Sequence, residues 1–301
     1  MGADEGPVTL VKSRQFDLLS RNGRVYRIFI AEPIRPAPPE GCPVVYVLDA
    51  NAMFGTVVEA SRFQKNLTPA VIVGIGYPTE ALLDPDRRYL EYTPVTPPER
   101  LNQSPNEPQV KPGGTGGQAE FLAFIEGELK PAISERVRID PNRQALLGHS
   151  LAGRFVLHTL FASPRPFQTY LALSPSIWWG EGSVLEEEKS FAASGSASGQ
   201  VKTANGEGQM PRGLFVAVGE FEQQFSPSTP PERAAFLTRA RMVDNAREMA
   251  DRLAKLNRQN VKVEFKEFAG LNHGSVLPSA ISQGLNIALR APAIPAPSTA
   301  K

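Results

Sequence analysis

The chain lacks most of the residues that specialised chemistries require. One cysteine, Cys42, stands among 301 residues, so neither an intramolecular disulfide nor a thiolate metal site can be built from it. At the start of an apolar run it reads as a small apolar filler. Only three histidines are present, His149, His158 and His273, which narrows the search for any catalytic base. Neither charge is in excess: 32 Lys and Arg against 31 Asp and Glu give a net charge of +1. No global field would therefore draw the chain onto a nucleic acid or an anionic bilayer. Nothing points to a membrane, and a small-molecule substrate is the expected partner.

The first residues, MGADEGPVTL, lack the basic start and apolar block of a secretory signal. Gly6 stands where a myristoylation motif needs Ser or Thr. The expected compartment is the cytosol as the sequence stands, or the periplasm or exterior if a leader has been removed. Oligomeric state is not legible from the sequence.

What is present is a globular composition, with 41% hydrophobic and 21% charged residues. The length suits one domain over residues 1–290 with a substantial core. Two β-rich segments, Val8–Leu19 and Val25–Ala31, flank the Asn22-Gly23 pair of a hairpin turn. PVVYVLDA (43–50) and AVIVGIGY (70–77) are continuous apolar runs, as in parallel strands buried on both faces, with a helix between them. Residues 78–117, rich in proline and glycine, read as one long insertion loop.

An apolar period of about four residues predicts a helix over 118–137, with Pro131 able to bend it. A strand follows at 144–149, a helix at 151–161 and a strand at 169–175. A second irregular insertion spans about 194–212. Then come a strand at 213–220, one long helix near 232–256, a strand at 261–268 and a last helix over 275–289. A Pro/Ala-rich tail, 291–301, reads as disordered. This order implies an α/β fold: an open, mostly parallel sheet with an antiparallel N-terminal hairpin and helices on both faces.

In LLGHSLAGRF, Ser150 sits between a strand and a helix at the end of the sheet where α/β sites form. A nucleophile elbow, G-x-S-x-G, needs small residues two before and two after the serine. Gly148 and Ala152 meet the need, with Ala152 a departure and Gly153 beside it. The competing reading is that Ser150 simply caps the helix.

A serine nucleophile needs a base. His149 is fixed in the elbow with its side chain expected to point away from Ser150, and His158 lies within an apolar helix. His273, in GLNHGSVLP after the last strand, stands where the base belongs. The acid should follow the strand ending at Gly219. Glu222 is the first choice, Glu220 the second and Asp244 a weaker one, and a Ser-His dyad stays open. The backbone N–H of Leu151 and of Ala50 or Asn51 would form the oxyanion hole.

With these residues in place, the chain resembles the esterase D-like esterases of the α/β-hydrolase superfamily. Within them it resembles most the siderophore esterases that hydrolyse enterobactin, salmochelin and bacillibactin. VVYVLDANAMF, VIVGIGY, RRYLEYTP, LLGHSLAGRFVLHTLF, LSPSIWW, VGEFEQ and NHGSVLP carry the resemblance in family order.

The resemblance implies a triad or dyad on Ser150 and His273, Arg88 near the substrate, and Trp178 and Trp179 flanking the pocket. Core packing is the competing role for both tryptophans. The family usually has glycine where Ala50 and Ala152 stand, which bears on oxyanion-hole geometry and turn tightness. The expected activity is carboxylic ester hydrolysis through an acyl-enzyme, with no cofactor and no metal. A siderophore trilactone is the sharper substrate expectation. A general short-acyl carboxylesterase or acyltransferase is the rival within the enzyme class, and a non-catalytic binding module the rival outside it.

Overall fold

In chain order the strands are β1 (Ser13–Leu19), β2 (Val25–Ala31), β3 (Cys42–Val47), β4 (Val71–Gly76), β5 (Ile139–His149), β6 (Thr169–Leu173), β7 (Arg212–Gly219) and β8 (Val261–Phe268). They form one sheet ordered β1-β2-β4-β3-β5-β6-β7-β8. This computed structural model describes residues 6, 8–101, 108–162, 166–193, 212–225, 229–256 and 261–290. β1 and β2 pair antiparallel, as do β2 and β4, and every pair from β4 through β8 is parallel. The architecture is the α/β-hydrolase fold, with the antiparallel start that the hairpin signal predicts. Of the Asn22-Gly23 pair only Gly23 takes a positive φ, 81°, in a three-residue loop closed by Ser20 and Arg24.

Alternation along the buried strands sorts their side chains onto two helical layers. Val44 and Tyr46 of β3 join one apolar cluster, while Val45 and Val47 join the other. The first cluster is completed by α5 (Leu151–Ala162), α8 (Met242–Ala254) and the helical rod 118–134; the second by α1 (Ala50–Phe63) and α9 (Leu277–Ala288). Cys42 is buried within the first cluster, in keeping with a filler. Because β3 and β5 through β8 all run the same way, their carboxyl ends lie along one edge, and the site is built there.

Several elements differ from the sequence expectation. The stretch 78–117 is not simply a loop: α2 (Pro85–Tyr92) forms within it, capped by the Asp84 side chain with Pro85 in its first turn. The rod predicted over 118–137 comprises α3 (Gln118–Phe124) and α4 (Lys130–Ser134), joined by a wider π-turn at Ile125–Leu129 just before Pro131. A further helix, α6 (Trp179–Ala193), follows β6; Gly180, Glu181 and Gly182 interrupt it with positive φ.

The long helix expected near 232–256 is two, α7 (Pro231–Ala240) and α8, broken at Arg241, whose φ is 45°. Gln223 stabilises the break, its Oε1 accepting from the N–H of Val243 and Asp244 at 3.1 and 3.0 Å. α7 thereby gains its own small cluster with Trp178. The insertion at 194–211 and the tail 291–301 lie outside the described residues. Among those described, no helix is long and apolar enough to cross a membrane.

Candidate active site

β5 ends at His149 and α5 begins at Leu151, so Ser150 alone makes the turn, with φ 61°. A non-glycine residue held in this left-handed region stores about 1–3 kcal/mol of strain, which the surrounding packing must sustain. A Cβ on Gly148 would lie 2.4 Å from the Ala152 carbonyl oxygen, and one on Gly153 would lie 2.8 Å from that of Leu173. Both positions need glycine for close backbone approach. Ala152 is fully buried with its methyl accommodated, so Gly153 provides the clearance toward the end of β6.

His273 Nε2 lies 3.0 Å from Ser150 Oγ, and its Nδ1 lies 2.6 Å from Glu222 Oε2. The Glu222 carboxylate is buried. Its other oxygen accepts from the Ser174 hydroxyl and the Gly219 N–H, both at 2.6 Å. With both oxygens engaged, the carboxylate is fixed in place and can hold the proton on His273 Nδ1, leaving Nε2 to face the serine.

Gly219 is what allows the two loops to meet, since a Cβ there would lie 2.4 Å from the Leu271 carbonyl oxygen. Glu220 takes another role, accepting the Gly270 N–H at 2.7 Å. Its partner is backbone rather than the cation of a salt bridge. Asp244 sits in α8, near Arg241 and Arg247.

Across the site, Ala50 and Asn51 open α1 and Leu151 opens α5. Helix geometry leaves first-turn N–H groups without intrahelical acceptors, which suits all three to receive an oxyanion. The α1 turn is docked with care. Asn51 Oδ1 accepts the Tyr77 N–H at 2.9 Å, and its Nδ2 donates to the carbonyls of Tyr77 and Thr79 at 3.0 and 2.9 Å. A Cβ on Gly74 would lie 2.6 Å from that of Ala50, and one on Gly76 would lie 2.2 Å from Asn51 Oδ1. The two glycines of VGIG are thus space for α1. The left-handed φ of this turn falls on Asp49, at 51°, so alanine at 50 adopts helical geometry without strain.

Arg88 is engaged rather than held out to solvent. Its Nε lies 3.0 Å from both Asp49 oxygens, and its side chain keeps 14% exposure. The Tyr92 hydroxyl also donates to Asp49, at 3.2 Å. Burial raises the Asp49 pKa, opposed by the charge and hydrogen bonds of Arg88 and Tyr92. Arg88, expected near the substrate, is thus paired through Nε with the residue that precedes the α1 turn.

Trp179 corrects the expectation of a pocket wall. It has no exposed surface, stacks on Tyr89 at 5.4 Å between centroids, and donates from Nε1 to Thr96 Oγ1. Trp178 is partly exposed and packs edge-on against Phe236 of α7, with ring centroids 5.1 Å apart, supporting the helix beside the site. His158 is structural, with Nδ1 2.5 Å from Glu187 Oε2; that carboxylate also pairs with Arg154, which is wholly buried.

Three contributors escaped sequence reasoning. Ser174 and Asp49 carry no spacing signal. His149, its side chain expected to point away from Ser150, places its ring 4.4 Å from that of His273. Among the described residues, no cluster of His, Cys, Asp or Glu could hold a metal ion.

The sheet topology and the strand-to-helix serine turn define a chain of the α/β-hydrolase class. It belongs to the esterase family whose model, described as "Putative esterase", matches residues 20–262. It is 40% identical over 277 residues to the ferri-bacillibactin esterase BesA of Bacillus subtilis, covering 90% of this chain and 87% of that protein. A siderophore triacetylfusarinine C esterase of Aspergillus fumigatus is 32% identical, with 95% and 96% covered. Among solved structures, the BES protein of Bacillus cereus superposes with a TM-score of 0.80 at 34% identity, covering 96% of this chain and all of that one. The siderophore hydrolase EstB of Aspergillus nidulans does so at 0.80 and 30%, covering 97% and 99%.

Proposed function

We propose that this chain is a serine esterase whose residues 1–290 act as one catalytic domain, and that its substrate is a siderophore trilactone. The observation that carries the mechanism is the relay from Ser150 Oγ through His273 to Glu222, with links of 3.0 and 2.6 Å. Ser150 Oγ attacks the ester carbonyl carbon while His273 Nε2 takes its proton. Negative charge on the former carbonyl oxygen is received by the N–H groups of Leu151 and of Ala50 or Asn51.

The tetrahedral intermediate collapses as the C–O bond to the alcohol breaks and His273 returns the proton to the departing oxygen. Water then attacks the acyl-enzyme, giving its proton to His273. Ser150 recovers that proton as the carboxylic acid leaves. Glu222 keeps His273 in the tautomer this exchange requires. Asp49, held by Arg88, steadies the turn that carries the second oxyanion donor.

Family membership supports ester hydrolysis, and the names of its relatives support a siderophore as the ester. The deciding experiment offers the protein an iron-loaded triscatecholate trilactone and short acyl esters side by side, with Ser150→Ala as control. Turnover of the trilactone that the variant loses is the expected result. Hydrolysis of short esters alone would leave a general carboxylesterase in its place.

A further inference from the structure

The end of β6 runs into a short strap, residues 174–177, that touches both ends of the relay. Ser174 takes a φ of 43°, uncommon for a residue with a Cβ, and its hydroxyl is the one bound to Glu222 Oε1. Two residues on, the Ser176 N–H donates to the Ser150 carbonyl at 3.0 Å, while the Ser150 N–H donates to the Leu173 carbonyl at 2.9 Å. Main-chain bonds on both sides of the strap therefore lace it to the serine turn. Gly153 makes the approach possible, since a Cβ there would lie 3.1 Å from Pro175 Cα.

This lacing sets Ser176 Oγ 3.4 Å from Ser150 Oγ, with Ser176 only 3% exposed. By distance alone either hydroxyl could donate. The proton count decides between them. His273 Nδ1 keeps its proton against the Glu222 carboxylate, so Nε2 accepts, and the single hydroxyl proton of Ser150 points there. The proton between the two serines is then the one on Ser176. Ser150 Oγ accepts it with one lone pair and keeps the other for the ester carbonyl. A hydroxyl buried this deeply needs a partner, and the fold brings it the nucleophile.

We infer that Ser176 is a further catalytic residue, whose hydroxyl donates to Ser150 Oγ and stabilises the negative charge that builds on that oxygen as its proton passes to His273. The inference rests on the serine-esterase reading and deepens it. At 3.4 Å the bond is long for two neutral hydroxyls. It strengthens when the acceptor becomes anionic, because charge-assisted bonds are shorter and roughly twice as strong. The contact therefore favours the transition state over the resting enzyme, which is the condition for raising a rate. In acylation the Ser150 proton moves to His273 Nε2 as the Oγ–C bond forms. In deacylation that bond breaks and His273 returns a proton to Oγ. The Ser176 proton stays on its own oxygen throughout.

The test follows two reactions of the full chain. The rate constant for labelling by a fluorophosphonate reads attack by Ser150 Oγ alone, and hydrolysis of p-nitrophenyl butyrate across pH 5 to 9 reads the whole cycle. Ser176→Ala should slow both about tenfold, through kcat rather than KM. The midpoint of the pH profile should stay in place, because the hydroxyl touches Ser150 and not the imidazole. Ser176→Thr keeps the donor and should recover at least about threefold of the loss.

Four results would overturn the inference: Ser176→Ala rates within about twofold of wild type, a loss confined to KM, a displaced pH midpoint, or a threonine protein as slow as the alanine one. Hydrolysis that survives Ser150→Ala would instead defeat the serine-esterase reading. An inactive Ser150→Ala protein beside an unimpaired Ser176→Ala protein would leave that reading standing and remove Ser176 from it.

Discussion

The ring of His149 donates from Nε2 to the backbone carbonyl of His273, 2.9 Å away, while the two imidazoles lie 4.4 Å apart. A carbonyl can only accept, so the proton sits on His149 Nε2. The residue before the candidate nucleophile thus steadies the main chain of the candidate base. His149→Phe keeps a ring at the contact and removes the donor. It should lower kcat about tenfold with little change in KM, and His149→Gln, which retains a donor, should recover part of the loss. Steady-state kinetics on one ester checks both, and equal activity in all three proteins would show that the contact does not matter.

His149 also has a pH signature. Burial, then the neighbouring His273 and Arg88, hold its pKa well below the ordinary 6.5. As pH falls below 6.5, the unfolded chain takes up a proton there that the folded chain refuses. Stability therefore drops, by up to about 1.4 kcal/mol per pH unit, until the folded pKa is reached. Urea unfolding at pH 7.5, 6.5 and 5.5 should show wild type losing more stability on acidification than His149→Phe. Parallel losses would contradict the assignment.

Glu222 should be indispensable to rate. Glu222→Ala removes the partner of His273 Nδ1 and also the acceptor for Ser174 and Gly219. The expected loss in kcat is on the order of 10²–10⁴. A loss below about tenfold would mean that a Ser-His dyad suffices.

Two alanine changes separate space from chemistry. Gly219→Ala drives a methyl toward the Leu271 carbonyl, forcing the His273 loop off Glu222, and should lower kcat about a hundredfold. Ala152→Gly restores the usual elbow pattern in a place where alanine already fits, so it should cost at most about 1 kcal/mol of stability. Its kcat should stay within about twofold. Thermal melts and kinetics on the purified variants decide both.

Stability away from the site should hinge on Glu187. Arg154 is wholly buried, and burial lowers its pKa to about 10 despite pairing with Glu187. Removing the carboxylate strands that charge, so Glu187→Ala should cost about 3–5 kcal/mol in chemical denaturation.

The central strands were legible because they are apolar runs, and the hairpin because it carries Asn22-Gly23. Ser150, His273 and Glu222 were legible because chain order and position after a strand end are one-dimensional facts. What the sequence hid depends on three-dimensional approach. Nothing along the chain pairs Arg88 with Asp49, which it meets across 39 positions. Trp179 reads as a pocket wall until Tyr89 and Thr96 enclose it. The break at Arg241 has no glycine or proline to announce it, since the cap comes from Gln223 in a different loop.

Ester hydrolysis by this chain requires Ser150 to be an activated nucleophile. The most direct measurement treats the full chain with a fluorophosphonate probe and maps the label by mass spectrometry. One label per chain on Ser150, abolished in Ser150→Ala together with ester hydrolysis, is the predicted result. Absence of labelling, labelling at another residue, or hydrolysis that survives Ser150→Ala would show that Ser150 is not the nucleophile.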